Sequence, residues 1–357
     1  MDTNDLFFRK LPPVSSIAER RQALAIILEQ LDFERIIKPL DKVAIKTHFG
    51  DVNNTTHISP ALVKMVVEKI ESCQGLPFLT ETSTLYSGPR NNAVTHLQHA
   101  YSHGFTYEQV GAPIIMADGL LGNSEIEVAI PGILYKKVKI ARDAILADSL
   151  VLLSHPTGHL ATGIGAALKN LGMGLSSRKG KLQQHSSIKP YINNSKCTFC
   201  EQCLKWCPEQ AIIPREGVAF IISEKCSGCG ECLAVCKFNA VKYNWGVQSE
   251  DIQQRIAEYA LGAVIGKREK CVFINVLADM TRQCDCMNIK QKPVIGDIGI
   301  LGGYDPVALD QATLDLTRRN TGKDLGAMSF PELDPNVQLS HAEKIGLGKR
   351  KYKLTEL

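Results

Sequence analysis

Short apolar runs alternate along most of the chain with segments whose apolar residues recur every three or four positions. The runs at 42–47, 76–80, 113–117, 149–153 and 271–277 predict strands. The run at 149–153 is the most apolar, so we expect it at the centre of the sheet. Strand and helix patterns that alternate in this way predict an α/β fold, a mostly parallel sheet flanked by helices.

Capping residues mark the helices between these strands. Ser16, with Glu19 three residues later, predicts a capping box and a helix to about residue 31. Ser59 followed by Pro60 predicts a second helix start. Further helices are predicted over 92–103, 141–147, 249–265 with Ser249 as its N-cap, and 305–319. The polar and basic stretch 178–184 predicts a linker instead.

Two cysteine quartets interrupt this pattern. Each has the spacing C-x2-C-x2-C-x3-C, which resembles the ligand run of bacterial two-cluster ferredoxins, where the fourth cysteine binds the other [4Fe–4S] cluster. A short apolar run follows each quartet, at 211–213 and 240–243, so the segment is an internal repeat. The spacing assigns one cluster to Cys197, Cys200, Cys203 and Cys236, and a second to Cys226, Cys229, Cys232 and Cys207.

Disulfides and zinc are the alternatives for these eight cysteines. Disulfide frameworks suit small secreted chains, and structural zinc usually takes two short-spaced pairs of ligands. Two [4Fe–4S] clusters therefore fit the spacing better. Pro208 follows the first quartet, whereas Lys237 follows the second and places a positive charge beside a cluster.

The α/β pattern resumes after the quartets, so the cluster module is inserted into the α/β domain and not appended to it. We expect a first α/β part at 1–187, an α+β ferredoxin-like module with two clusters at 188–246, a second α/β part at 247–325 and a C-terminal tail at 326–357. The basic stretch 349–353 predicts a solvated terminus, with a contact to RNA or an acidic partner as the weaker alternative.

Composition narrows the class of protein. The 357 residues include 41 basic and 37 acidic side chains, a net charge of +4 that is too mild to indicate a nucleic-acid partner. Residues 1–10 lack the apolar core of a signal peptide, and no run approaches the ~20 apolar residues of a membrane span. We expect a cytoplasmic protein with no membrane contact, because thiols stay reduced in the cytoplasm and clusters can be kept there.

Ionisable side chains gather where the predicted strands end. In open α/β sheets, ligands bind outside the carboxyl ends of the strands. Those ends carry His48, Glu81, Asp118, His155 with His159 close behind, and Asp279. We expect the imidazoles of His155 and His159 to face one cavity, as metal ligands or proton carriers. The alternative is that both rings hydrogen-bond their loop to the sheet.

Cys284-Asp285-Cys286 lies just beyond Asp279. We expect these two cysteines not to bond to each other readily, because the intervening residue strains the ring. The tripeptide is instead interpreted as two thiolates for one metal or cluster, a possible third metal site, or as one reactive thiol with a helper. We expect the pair to share the cavity of His155 and His159.

The glycine-rich stretch 163–174 contains Lys169 and leads from a turn into a short helix. Its backbone N–H groups could hold an anion. Because it is not a full G-x-G-x-x-G, close packing at the glycines is favoured over a dinucleotide site.

Seven stretches resemble a known group, the iron–sulfur-centre proteins that carry the domain of unknown function 362, here with an inserted ferredoxin. They are 46–50, 117–120, 154–159, 169–174, 284–286, 297–300 and 305–308. The resemblance covers nearly the whole chain. It implies a cytoplasmic redox protein, mostly of anaerobes, with an α/β fold interrupted by two [4Fe–4S] motifs, and it implies no substrate.

The leading interpretation is an iron–sulfur redox protein and possible oxidoreductase. Its module carries single electrons between a redox partner protein and a site in the α/β domain, which also holds a metal or small ligand. The candidate site residues are His48, His155, His159, Lys169, Cys284 and Cys286. One alternative is an enzyme that handles a metal, sulfur or a cofactor with the cysteine pair. The other is a non-enzymatic electron carrier or redox sensor.

Overall fold

Residues 4–185, 189–243 and 248–357 are described by the structure, which is a computed structural model. The strands in these ranges are β1 (Asp5–Lys10), β2 (Lys42–Lys46), β3 (Leu76–Glu81), β4 (Ile114–Met116), β5 (Glu125–Ala129), β6 (Lys137–Ala141), β7 (Ser149–Ser154), β8 (Thr157–His159), β9 (Gly163–Gly165), β10 (Tyr191–Ile192), β11 (Ile212–Arg215), β12 (Val218–Ile221), β13 (Val241–Lys242), β14 (Cys271–Leu277), β15 (Gly299–Gly303) and β16 (Lys353–Glu356).

The helices in the same ranges are α1 (Ile17–Gln30), α2 (Phe33–Ile36), α3 (Pro60–Ser72), α4 (Ala93–Ser102), α5 (Tyr107–Val110), α6 (Arg142–Leu146), α7 (Ala167–Gly172), α8 (Arg178–His185), α9 (Gln202–Lys205), α10 (Glu231–Val235), α11 (Ser249–Val264), α12 (Pro306–Thr321), α13 (Leu325–Ser329) and α14 (Asn336–Lys344). Two 3₁₀ turns cover Asn194–Lys196 and Arg268–Lys270.

One eight-stranded sheet organises the α/β domain, in the order β16-β1-β15-β14-β7-β2-β3-β4. Strands β14, β7, β2, β3 and β4 run parallel to one another, and β15 is antiparallel to both β14 and β1. Strand β7 lies between β14 and β2 and is buried along its whole length. The predicted α/β class, with a mostly parallel sheet, is therefore confirmed, and the most apolar strand is central.

Helices cover both faces of the sheet because successive side chains of a strand point to opposite sides. In β7, Val151 and Leu153 join one core cluster with residues of α1 and α3. Leu150 and Leu152 join the other cluster, with residues of α7, α11 and α12. Strands that are buried on both faces have nearly continuous apolar sequences, which is why the apolar runs predicted these strands.

Most predicted helix starts are confirmed. Ser16 accepts from the Glu19 N–H and the Glu19 side chain bonds back to the Ser16 backbone, which is the capping box. Ser59 caps α3, with Pro60 as its first residue. Ser249 is different: it is the first residue of α11, not its N-cap, and its hydroxyl donates to the Ala161 carbonyl at 2.7 Å.

The predicted linker at 178–184 is wrong, because these residues form helix α8. Its polar side chains are buried against other segments instead of being solvated. The Arg178 guanidinium points at the carbonyls of Asn91, Leu121 and Ala234, at 3.3 to 3.5 Å. A Cβ on Gly180 would lie 2.4 Å from the Lys139 carbonyl oxygen. Tertiary partners therefore override a composition that is typical of a linker.

The C-terminal segment also differs from the predicted solvated tail. Helix α14 packs against α11, and β16 pairs with β1 at the edge of the main sheet. Tyr352 donates to Asp315 at 2.8 Å, and the Arg350 side chain bonds Gln311, Ser340 and Asn336. The basic side chains of 349–353 thus lie at the start of the edge strand β16 and in the segment that leads into it. Charges at a sheet edge discourage pairing with other chains.

Residues 189–243, which we call the cysteine-rich module, are built from two short antiparallel pairs. Strand β10 pairs with β13, and β11 pairs with β12. A small core of their apolar residues surrounds Cys232 and also takes in Leu85 and Leu182 of the α/β domain. The module is thus inserted between α8 and α11 and packed on the domain.

Helix α7 is held in place by a carboxylate from another helix. Its own N-cap residue, Ala166, makes no side-chain cap. Instead Asp310 of α12 accepts from the backbone N–H groups of Ala167 and Leu168 at 2.9 and 2.8 Å. A Cβ on Gly172 would lie 2.2 Å from the Ile256 carbonyl of α11. The close-packing interpretation of these glycines is confirmed for Gly172.

Replacing Asp310 tests this arrangement. Asp310→Ala leaves two buried N–H groups without an acceptor, so we expect it to lower the free energy of unfolding by at least about 2 kcal/mol. Asn320→Ala, at an exposed position of the same helix, should stay within about 0.5 kcal/mol of the wild type. Urea denaturation followed by circular dichroism measures both. Equal stabilities of the two variants would contradict the cap.

Candidate functional site

A cavity of about 450 Å³ opens at the carboxyl ends of β2, β3 and β7. This is the edge of an open α/β sheet at which ligands bind. The structure brings all six predicted site residues to its wall: His48, His155, His159, Lys169, Cys284 and Cys286. Their catalytic roles stay predictions, but the juxtaposition is a structural fact.

The three acidic residues predicted at strand ends do not all lie in the cavity. Glu81 lines the cavity, where its carboxylate is buried against Lys46. Asp118 is buried outside the cavity and accepts from the Ser83 N–H at 2.8 Å. Asp279 pairs with Arg20 instead, also outside the cavity. Asp118 and Asp279 therefore serve the packing of their own loops.

Cys284 and Cys286 are joined by a disulfide, so the prediction that they would not readily bond to each other is wrong. The backbone brings their Cα atoms to 5.3 Å, within the range over which disulfides form. The ring that they close contains a single intervening residue, Asp285. In this oxidised form the pair offers no thiolate, whereas its reduced form would place two sulfur ligands at the cavity wall.

Asp285 fixes the orientation of the cysteine pair. Its Oδ1 accepts from Asn54 Nδ2 at 3.0 Å and Thr56 Oγ1 at 3.2 Å, and its Oδ2 lies 2.8 Å from His155 Nδ1. Its side chain is buried. Asp285 lines the cavity together with both cysteines, so anchoring its carboxylate holds the loop that carries the two sulfur atoms at the cavity wall.

His155 is a positioning residue. Nδ1 faces the Asp285 carboxylate and Nε2 lies 2.9 Å from the Ala278 carbonyl, so both nitrogens act as donors. Burial alone would lower the pKa of His155, but the charge of Asp285 and these hydrogen bonds raise it above its ordinary value. The pKa of Asp285 is lowered, because the same partner and its other donors outweigh burial. The alternative interpretation, that the ring ties its loop to the sheet, thus describes His155.

His159 is placed differently. It ends strand β8, and its Nδ1 lies 2.8 Å from Thr162 Oγ1. Burial, with Lys169 nearby, lowers its pKa well below the ordinary range, so the ring is neutral. One ring nitrogen of His159 and the sulfur atoms of Cys284 and Cys286 all lie within 4.8 Å of one another. The sequence predicts that both imidazoles face the cavity of the cysteine pair within reach of a shared ligand. Both residues line that cavity, but only His159 has a ring nitrogen grouped with the two sulfur atoms, because both nitrogens of His155 are bonded elsewhere.

His48 does not reach the cysteines. Its Nδ1 accepts from the Gly50 N–H at 2.8 Å, and the Arg90 guanidinium lies 2.9 Å from Nε2. Burial and the charge of Arg90 lower its pKa well below the ordinary range. Arg90 also binds the Asp51 carboxylate at 2.8 Å and the Cys286 carbonyl at 3.2 Å. His48 therefore belongs to the network that supports the cysteine loop.

Buried lysines give the cavity a positive wall. Lys46 pairs with Glu81 and donates to Asn170 Oδ1 at 2.8 Å. Lys169 Nζ lies 3.9 Å from Cys284 Sγ, and burial with nearby Arg90 and Lys46 lowers its pKa to about 8. Lys181 donates to the Ser83 carbonyl at 2.6 Å, and burial lowers its pKa to about 8. Such a wall favours an anionic ligand.

Sequence reasoning missed four charged residues of this site: Lys46, Arg90, Lys181 and Asp285. Lys46 had a detectable signal, because a lysine that ends an otherwise apolar strand is buried with it. Lys181 was hidden in the supposed linker. Arg90 lies in a loop without a regular pattern, and its role depends on contacts to residues 39 to 196 positions away.

The cysteine-rich module repeats its backbone conformation as well as its spacing. Phe199 and Glu201 have positive φ angles of 51° and 60°, and the equivalent residues of the second quartet, Gly228 and Gly230, have 70° and 76°. Because the φ values match, the tight loop is the same in both halves, although the first half uses residues that rarely adopt it.

Backbone N–H groups point at the sulfur atoms in both halves. The Ala211 N–H lies 3.3 Å from Cys207 Sγ, and the equivalent Ala240 N–H lies 3.2 Å from Cys236 Sγ. Hydrogen bonds to sulfur are one of the ways in which proteins tune iron–sulfur clusters.

The two cysteine groups assigned from spacing are also gathered in space. Burial, and then the nearby thiols of Cys236, Cys197 and Cys200, raise the pKa of Cys203 to about 11. Cys203 and these three neighbours are the four cysteines that the spacing assigns to the first cluster. A small separate cavity is lined by all four of the second set, Cys207, Cys226, Cys229 and Cys232. The fold therefore brings each fourth cysteine to the other half of the repeat.

The module and the large cavity share a wall. Leu85 lines the cavity and packs in the core of the module. In α8, Lys181 faces the cavity while its neighbour Leu182 enters the core of the module. The Lys179–Glu231 ion pair at 2.5 Å fixes α8 to α10. The quartets and the cysteine pair are thus on two sides of one helix and one loop.

Two comparisons with known proteins match this chain over very different lengths. A family model described as "Domain of unknown function (DUF362)" matches residues 43–315. The pyruvate synthase subunit PorD of Methanothermobacter marburgensis is 37% identical over 49 residues, which are 14% of this chain and 57% of that protein. The chain thus spans little more than half of the length of that curated relative.

The matches among solved structures have low sequence identity and low TM-scores. The lactate racemase apoprotein from Thermoanaerobacterium thermosaccharolyticum matches with a TM-score of 0.42 and 12% identity, over 76% of this chain and 51% of that one. A structural-genomics protein from Thermotoga maritima matches with a TM-score of 0.39 and 9% identity, over 90% and 60%. Within the described residues, no helix is both long and apolar enough to cross a bilayer.

The buried His155–Asp285 pair gives a pH-dependent prediction. A raised histidine pKa stabilises the fold fully below the unfolded value of about 6.5, and this contribution is lost as the pH rises through the folded value. His155→Ala should therefore lower the free energy of unfolding most near pH 6, by about 3–5 kcal/mol, and less at pH 9. Urea denaturation across this pH range measures the difference. In an Asp285→Asn background burial acts on His155 without the carboxylate charge, so the pH dependence should vanish or reverse in sign, and its persistence with the same sign would contradict the pairing.

Proposed function

The chain belongs to the DUF362 family, a domain of unknown function, and we propose that it is an iron–sulfur redox protein. In this proposal the cysteine-rich module holds two [4Fe–4S] clusters, and electrons pass between them and a site in the large cavity of the α/β domain. The observation that carries it is the shared wall: Leu85 and α8 contact both the core around Cys232 and the cavity that contains Cys284 and Cys286.

The residues of the module suit two clusters. Eight cysteines lie in two groups of four, with loops whose left-handed residues repeat at equivalent positions. Amide N–H groups approach the sulfur atoms of Cys197, Cys207, Cys226 and Cys236 at 3.2 to 3.4 Å. A bound cluster of this type gains or loses one electron at a time. The 37% identity to PorD over 49 residues is consistent with such a module.

The cysteine pair supplies two-electron chemistry on the other side of the wall. The Cys284–Cys286 disulfide, with two electrons and two protons, gives two thiols as the sulfur–sulfur bond breaks. Lys169 Nζ, 3.9 Å from Cys284 Sγ, places a positive charge where a thiolate forms. Two one-electron donors therefore match one disulfide in electron count.

The redox partner protein would approach the exposed side of the module. Cys200 is the exposed member of the eight, and the aromatic side chains of Trp206 and Phe238 are each 46% exposed. We place the protein in the cytoplasm, where disulfides are usually transient and redox-active, which suits a disulfide facing a cavity.

Metal analysis gives the first test. Protein purified without oxygen should contain about eight iron atoms and about eight acid-labile sulfides per chain, since each cubane has four of each. Iron and sulfide assays with electron paramagnetic resonance of the reduced protein measure this. Stoichiometric zinc with little iron would overturn the cluster assignment.

Electron counting gives the second test. Anaerobic titration with photoreduced deazaflavin should take about four electrons per wild-type chain, one for each cluster and two for the disulfide. Cys284→Ser cannot form the disulfide and should take about two, with unchanged iron content.

Cys73→Ser is the matched control, because Cys73 is half-buried at the end of α3 and outside both the module and the cavity. It should take about four electrons, like the wild type. If Cys284→Ser also takes four, the disulfide is not part of the redox chain. The α/β domain would then serve to dock partners, as in an electron carrier.

A further inference from the structure

Three ligand groups converge on the cavity wall around one point. The sulfur atoms of Cys284 and Cys286 and one ring nitrogen of His159 lie within 4.8 Å of one another. Ligand atoms at about 2.0–2.3 Å from a common tetrahedral metal are separated by less than this. Two thiolates and one imidazole from two different loops are therefore close enough to share an ion.

The donor atoms are held by a second layer of contacts. Asp285 is anchored by Asn54, Thr56 and His155. The Cys286 carbonyl accepts from Tyr86 and from Arg90, both at 3.2 Å. Metal sites depend on such supporting contacts, which keep the ligands oriented before the ion arrives.

His159 is the histidine available for binding. Its Nδ1 is engaged within its own loop: the ring nitrogen lies 2.8 Å from Thr162 Oγ1, which also donates to the Ile164 carbonyl at 2.8 Å. The Ala161 N–H donates to the same nitrogen at 3.3 Å. Among the described residues Nε2 has no hydrogen-bond partner, so it is the ring nitrogen left for a metal, while Nδ1 is held by its own loop as in most metal-binding histidines. His155, by contrast, has both nitrogens engaged.

We propose that the reduced Cys284 and Cys286, with His159 Nε2, bind one divalent metal ion of the zinc class. Two thiolates and an imidazole are the ligands that such ions prefer. Among the described residues no fourth protein ligand completes the group, so the remaining coordination position opens to the cavity. Three protein ligands with an open position are typical of catalytic metal sites. The positive wall of Lys169 and Lys181 would attract an anionic ligand to that position.

The disulfide and the metal exclude each other. Reduction breaks the sulfur–sulfur bond with two electrons and two protons, and the ion then displaces the two thiol protons to form two metal–sulfur bonds. The cavity therefore binds metal only in its reduced state. This inference does not rest on the proposed electron path, because a chemical reductant opens the disulfide equally well.

Anaerobic equilibrium dialysis against zinc tests the proposal on the cluster-containing protein. After treatment with a phosphine reductant, the wild type should bind about one zinc per chain with its iron content unchanged. X-ray absorption at the zinc edge should show two sulfur ligands at about 2.3 Å and at least one nitrogen at about 2.0 Å. Without the reductant, this zinc should not bind.

Substitutions test which side chains bind the zinc ion. Cys284→Ser and His159→Ala should each weaken zinc binding at least about 10-fold, the smallest loss seen when supporting contacts alone are removed. His159→Cys, which keeps a ligand, should restore binding. Cys73→Ser should bind like the wild type. Iron content and circular dichroism establish that each variant is folded.

Two results would overturn the site. One is zinc binding that His159→Ala and Cys284→Ser leave unchanged. The other is a zinc shell of four sulfur atoms gained as iron is lost, which would place the zinc at the quartets. The absorption spectrum of the wild type decides the matter even if a variant does not fold. Neither result bears on the four-electron count, which tests the proposed function separately.

Discussion

The carboxylate of Asp285 is the contact on which the geometry of the cavity depends. It joins three segments that are far apart in sequence: the loop after β2 through Asn54 and Thr56, the end of β7 through His155, and the cysteine loop itself. A buried carboxylate is tolerated only when its charge is matched and its oxygens are bonded, and here both conditions hold. Because Asp285 lies between the two cysteines, satisfying its carboxylate also sets where both sulfur atoms point.

The rest of the cavity carries more buried charge than stability requires. Lys46 and Glu81 form an ion pair whose side chains are 0% and 5% exposed, and the buried Lys181 and half-buried Lys169 line the same cavity. Apolar side chains of similar volume often replace a buried ion pair without loss of stability. The several cations around this reducible sulfur pair are therefore better explained by a role in the chemistry of the site than by a role in packing. Positive charge stabilises a thiolate and attracts anions, and both effects belong to a redox or ligand site.

Sequence reasoning predicted the parts of the molecule that depend on local patterns. The doubly buried strands are apolar along their length, and the helix caps at Ser16 and Ser59 need only neighbouring residues. The cysteine groups follow from the spacing of one repeat. The cavity residues were found because parallel strands place their carboxyl ends together, which is a property of the fold and not of any single residue.

The errors arose where distant contacts decide the structure. Helix α8 is rich in Arg, Lys and Gln, and it is helical because Arg178 and Lys181 find buried carbonyls and hydroxyls in other loops. The role of His155 could not be separated from that of His159 by sequence, since only the position of Asp285, 130 residues away, distinguishes them. The disulfide likewise depends on how the loop is folded back by its partners.

Insertion of the module has a physical consequence that an appended module would lack. The helix before it, α8, lines the cavity with Lys181 and His185, and the helix after it, α11, lines it with Ile252. The described helices on either side of the module therefore both reach the cavity wall. A flexible linker would let the distance between the two sites vary with its length, whereas two anchored helices hold the module against the wall. Electron transfer and metal binding on opposite sides of α8 would then be coupled through contacts that are already formed in the folded chain.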